Sequence, residues 1–128
     1  MKTKTIRTFF TATILGTVAL SGAALAGHNR TYDVTITNLT RAQSFTPILV
    51  VSHRSNSHLL FNAGEPASEE LAALAEGGDT NPLNELLDET RGVSNTTTSE
   101  GLLDPGKSVT IQIKVRSRHD RLSMAAML

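Results

Sequence analysis

Three groups of side chains in the sequence are of the types that do chemistry: the histidines with a neighbouring serine, a set of clustered carboxylates, and a row of bases. His53 and His58 flank the polar loop Arg54 to Ser57, while His28 and His119 lie elsewhere. A zinc site takes three or four close ligands, commonly from His and Cys. The chain has no cysteine and its histidine spacing supplies no such set, so no metal site is expected. Ser52 beside His53 raises a hydrolase reading. Against it, no G-x-S-x-G elbow is present, and neighbours on a strand point to opposite faces. Glu85, Asp88 and Glu89 belong to a helical pattern whose polar face is solvated, so their expected role is solubility rather than acid–base work. Lys114, Arg116 and Arg118 recur at period two and would share one strand face, where they suit sulfated or carboxylated polymers. The same charges also suit protection of a sheet edge. The chain is therefore expected to be no enzyme, with Lys114, Arg116 and Arg118 as the candidate anionic-polymer residues and no catalytic or cofactor-binding set. A secreted hydrolase using Ser52 and His53 is the alternative.

The elements that would position these groups centre on Ser44 to Pro66. Ile48 to Val51 is a β-branched apolar run bounded by Pro47, and a strand apolar on both faces belongs inside a sandwich. Leu59 to Phe61 then predicts a second short strand or a lining segment before the Asn62-Ala63-Gly64 turn. Upstream, Tyr32, Val34 and Ile36 alternate with Asp33, Thr35 and Thr37 as a half-buried strand, and Leu39 and Phe45 are expected as core plugs. Past Gly64 the period becomes helical. Ser68 is an N-cap with Glu69 and Glu70 in the first turn, Leu71, Leu74 and Ala75 form an apolar face, and Gly77-Gly78 ends the helix. Asn81 and Pro82 then open a second helix with the stripe Leu83, Leu86, Leu87. The two helices are expected over one end or edge of the sheet. Arg91 to Gly101 has loop composition and predicts an exposed, mobile connection. Asp104-Pro105-Gly106-Lys107 matches a type II turn, leading into a strand with Val109, Ile111, Ile113 and Val115 inward. After a turn at Arg116 to Asp120, Arg121 to Leu128 reads as a last strand with Leu122, Met124, Ala126 and Leu128 on one face. Its unpaired edge invites self-association. The fold class expected is mainly β, an antiparallel β-sandwich with a two-helix insertion around residues 68–88.

The first residues carry an address. Lys2, Lys4 and Arg7 precede the uncharged segment Thr8 to Ala26, which ends in Ala24-Leu25-Ala26, the pattern of a secretory signal peptide cleaved after Ala26. The rival is an uncleaved membrane anchor on an envelope protein, because the segment is nearly long enough to span. Residues 27–128 are long enough for one domain. Without cysteine there is no disulfide and no acylated-cysteine anchor. Three of the twelve bases precede the uncharged segment, leaving nine against twelve acids, a net charge of −3 that excludes a general nucleic-acid binder. Glu65 to Glu100 holds nine acids against Arg91, whereas Lys107 to Arg121 holds five bases against Asp120.

Five blocks then occur in a recognisable order: YDVTITNLT from Tyr32, SFTPILVVSH from Ser44, LFNAGEPASEELAALAEGG from Leu60, GLLDPG from Gly101 and RLSMAAML from Arg121. Together they resemble the spondin N-terminal domain family, in particular its bacterial secreted members. The resemblance implies a C2-like β-sandwich and a secreted or periplasmic module with a binding, adhesion or cell-envelope role. Expected partners are an anionic polysaccharide or another envelope or matrix protein, with no nucleic acid and no membrane insertion after signal cleavage. The family's calcium ion is bound by acidic loop residues beyond the block resembling Arg121 to Leu128. None is carried over to this sequence, no calcium is expected here, and the chain is expected to lack the family's C-terminal third.

Overall fold

The computed structural model describes residues 29–55, 57 and 59–128. The signal peptide, its cleavage after Ala26, His28 and His58 lie outside the described residues. The fold is built on β2 (Leu49–His53), every residue of which is buried. Alternation along this strand divides the interior in two. Ile48 and Val50 pack with Leu103, Ile111 and Ile113 in one cluster, and Leu49 and Val51 pack with Leu74, Leu83 and Leu87 in another. A strand apolar on both faces serves two layers at once.

β2 is the middle strand of an antiparallel sheet, between β3 (Val93–Thr98) and β5 (Arg121–Ala125). The second sheet pairs β1 (Arg30–Thr37) with β4 (Ser108–Val115) in unbroken antiparallel register from Arg30↔Val115 to Thr37↔Ser108. It covers β2 and β3. Asp104 to Lys107 turns as the sequence predicts: Gly106 has φ +74°, and the Lys107 amide donates to the Asp104 carbonyl at 3.1 Å. The result is a two-layer antiparallel β-sandwich carrying α1 (Glu69–Gly77) and α2 (Asn81–Glu89).

Several local expectations are corrected. The helices cover the outer face of the three-stranded sheet rather than its end, because Leu49 and Val51 need an apolar cover. A two-turn helix on a flat sheet buries only a narrow stripe, so Leu74, Leu83 and Leu87 are buried while Ala75 and Leu86 are exposed. Ser68 caps α1 by accepting the Leu71 amide at 3.2 Å, whereas α2 is preceded by Thr80, and Asn81 is its first residue rather than its cap. Leu59 and Leu60 line the helix cluster without forming a strand, and Phe61 is exposed. Phe45 does reach the core, but Leu39 is exposed because Asn38 occupies the interior position. Within Arg91 to Gly101 lies β3, not a mobile loop. β5 ends at Ala125, short of Leu128, and Leu122 and Met124 stay exposed. They share a face with Ser52 and Val50, their register partners, yet stay uncovered.

Candidate anionic-polymer interface

Strand β4 ends at Val115, so the alternation that would align Lys114, Arg116 and Arg118 stops after Lys114. All three are exposed, but Arg116 and Arg118 belong to a turn. There the His119 amide donates to the Arg116 carbonyl at 3.1 Å, and Arg118 has φ +69°, a left-handed conformation rare for a side-chain-bearing residue. This turn is hung from β3. The Lys114 amide donates to Asn95 Oδ1 at 3.0 Å, the Arg116 amide donates to Ser94 Oγ at 3.0 Å, and the Ser52 hydroxyl donates to the Lys114 carbonyl at 2.8 Å. Ser94 is the extra residue of a β-bulge, since Ser52 pairs with Asn95 and His53 with Val93. Three polar side chains thus satisfy backbone groups at the outer edge of β4 and fix the basic turn against the other sheet.

Strand directions bring further cations to the same end. β1 starts there, with Arg30 opposite Val115. β2 finishes there, and the amide of the next residue, Arg54, donates to the Gly92 carbonyl at 3.0 Å, beside Arg91. β5 starts there, with Arg121 opposite His53. Arg30, Arg54, Arg91 and Arg121 are all exposed. Of the nine bases after residue 26, only Arg41 and Lys107 lie elsewhere. The acids nearest these bases in sequence or register are Asp120, Asp33 and Glu89, so bases outnumber acids at this end although residues 27–128 carry a net charge of −3. Sequence reasoning missed these four arginines because they are scattered along the chain. The available signal was that each stands at or within two residues of a strand terminus.

The sites weighed for catalysis come out differently. Ser52 and His53 point apart, as adjacent strand residues must: Ser52 Oγ bonds to β3 and β4 carbonyls, and the His53 ring turns to the other face. His53 is buried, with Nδ1 donating to the Arg54 carbonyl at 2.8 Å and Nε2 2.9 Å from Ser123 Oγ. A carbonyl only accepts, so Nδ1 carries a proton, and Nε2 is hydrogen-bonded to the Ser123 hydroxyl. Ser123 is the serine that meets a histidine, and the contact pins β5 to β2. Glu85, Asp88 and Glu89 are exposed, and Asp88 Oδ1 accepts from Thr96 Oγ1 at 2.6 Å. Among the described residues no three His, Cys, Asp or Glu side chains gather as a metal-binding group. No helix among them is long and apolar enough to cross a membrane.

The family model described as Spondin_N matches residues 26–128. No curated protein matches the chain.

Proposed function

The chain belongs to the spondin N-terminal family, and from that premise we propose that it is an exported, non-catalytic module that binds an anionic polymer of a cell envelope or matrix. The observation that carries this reading is the convergence of seven of the nine bases after residue 26 on one end of the sandwich. Clustered, exposed cations raise the local concentration of a polyanion and hold it by many weak contacts. Arginine suits such a site because its planar fork of donors matches carboxylate and sulfate oxygens. Export rests on the basic start, the uncharged segment and the Ala24-Leu25-Ala26 site. An exported product whose mass fixes its N-terminus at Gly27 supports it, and one beginning at Met1 removes it.

Exposed charges are screened over about 8 Å at physiological ionic strength, so retention on immobilised heparin should fall as salt rises. An Arg116→Ala, Arg118→Ala variant is expected to elute at lower salt than the parent. Equal elution would overturn the reading. The hydrolase alternative now rests on the Ser123–His53 contact rather than on Ser52. Ester or peptide turnover abolished by both Ser123→Ala and His53→Ala would establish it in place of the binding module.

A further inference from the structure

At the basic end the two layers of the sandwich part, leaving an open cleft of about 270 Å³ lined by Tyr32, Val115, His119, Asp120 and Leu122. Register explains the opening. Tyr32 lies opposite Ile113 on the core face of β1, and Leu122 lies opposite Ser52 on the core face of β5. Tyr32 and Leu122 thus line the opening from the two layers and remain 45% and 47% exposed.

We propose that this cleft is the specificity subsite of the basic end and takes one acidic sugar ring, a uronic acid unit of an anionic polysaccharide; the inference rests on the polymer reading above. A pyranose has an apolar C–H face and a rim of hydroxyls, which calls for an aromatic platform beside polar acceptors. Tyr32, with Leu122 and Val115, supplies the platform. Asp120 accepts hydroxyl donors. His119 directs Nδ1 at the Ser117 carbonyl at 3.1 Å, which leaves Nε2 for a sugar hydroxyl. For the sugar carboxylate, Arg30 lies on the core face of β1, two residues from Tyr32 and opposite Val115, while Arg116 and Arg118 stand in the turn that carries His119. Clefts that enclose a drug-sized ligand measure about 300–1,000 Å³, so this one suits a single ring with the rest of the polymer lying over the arginines.

Tyr32 is the sole tyrosine and the chain has no tryptophan, so intrinsic fluorescence reports from within the cleft. The exported protein titrated with an oligogalacturonate should show a saturable change in tyrosine emission that the uncharged methyl ester of the same oligomer does not produce. By calorimetry, Tyr32→Ala and Arg30→Ala are each expected to weaken the acid oligomer about tenfold, the scale of one aromatic or ionic contact. Both residues are exposed and unchanged circular dichroism should confirm folding. Tyr32→Ala should leave elution from immobilised dextran sulfate, a polyanion with no uronic acid, nearly unaltered. Oligogalacturonate binding that leaves tyrosine emission unmoved, or that survives both substitutions, overturns the subsite while the Arg116, Arg118 result can still stand. If that double variant also elutes like the parent, the polymer reading itself falls. Tyrosine emission that shifts with protein concentration alone, with a dimer in sedimentation, would assign the cleft to a second copy and overturn the sugar proposal.

Discussion

Asn38 does more to hold its part of the structure than the apolar neighbour from which a core role is expected. It is fully buried, and its Nδ2 donates to the carbonyls of Gln43 at 2.7 Å and Leu103 at 2.8 Å. Its Oδ1 accepts from the Thr40 amide at 2.9 Å and the Thr40 hydroxyl at 2.7 Å. Its backbone bonds both ways to the turn before β4, with N–H to the Lys107 carbonyl and C=O from the Gly106 amide. One side chain therefore ties the end of β1 to the start of β4. Alanine at this position would leave the Thr40 amide without its partner and take one of two donors from each of the Gln43 and Leu103 carbonyls, and an unsatisfied buried group costs about 1–3 kcal/mol. Asn38→Ala is expected to lose about 3 kcal/mol in urea unfolding, by a lower midpoint at constant slope. A midpoint unmoved from the parent would remove Asn38 from this role. The signal was present in the sequence: an Asn with Thr two residues on favours an Asx turn, which buries the amide and turns Leu39 outward. Asn38-Leu39-Thr40 also fits a glycosylation pattern, but the buried amide already has its partners.

Among the elements, β3 is the one that departs most from expectation. Its residues Val93-Ser94-Asn95-Thr96-Thr97-Thr98 are half-buried and polar, without the apolar alternation that marks a strand. β-branched side chains and a register against β2 make it a strand all the same. Its polar residues are needed there, because Ser94 and Asn95 hold the basic turn. The helix pair depends on an equally local feature. Gly78 closes α1 at φ +69°, its amide donating to the Leu74 carbonyl, and a Cβ there would stand 2.7 Å from Thr46 Cγ2 and 3.4 Å from Met127 Cε. Gly78→Ala should cost about 1–3 kcal/mol through left-handed strain and displacement of Thr46, which itself bonds Met127. Gly77→Ala is the control: a Cβ there meets nothing within 4 Å, and alanine favours helix over glycine by up to about 1 kcal/mol. Thermal melts should separate the two, with the first variant below the parent and the second at or above it. Melting points in the reverse order would contradict this account of the cap.

At the scale of the whole molecule, charge is sorted by topology rather than by composition. The chain after residue 26 is acidic overall, yet strand directions gather most of its bases at one end of the sandwich. That sorting concentrates positive charge where net charge alone would not foretell it. The same view bears on metal. Because the described residues do not gather a set of carboxylates or imidazoles, calcium in the millimolar range is expected to leave the melting temperature within about 1 °C. A ligand at a hundred times its dissociation constant would add about 2.7 kcal/mol to stability, so a clear rise in melting temperature would reveal a cage not foreseen here.

The sequence by itself determined the mainly β class, the central double-faced strand, the N-cap at Ser68, the type II turn before β4 and the inward row Ile111, Ile113. These are local signals: periodicity, caps and turn residues act through neighbours a few positions away. Tertiary structure alone decided which apolar residues are covered. Leu122 and Met124 alternate as well as Ile111 and Ile113 do, but only the latter pair is buried. It also decided the site. Arg30, Arg54, Arg91 and Arg121 become neighbours of Arg116 because three antiparallel pairings and one turn fold distant strand ends together. Such adjacency is a property of strand order and direction, which residue types at fixed spacing do not encode.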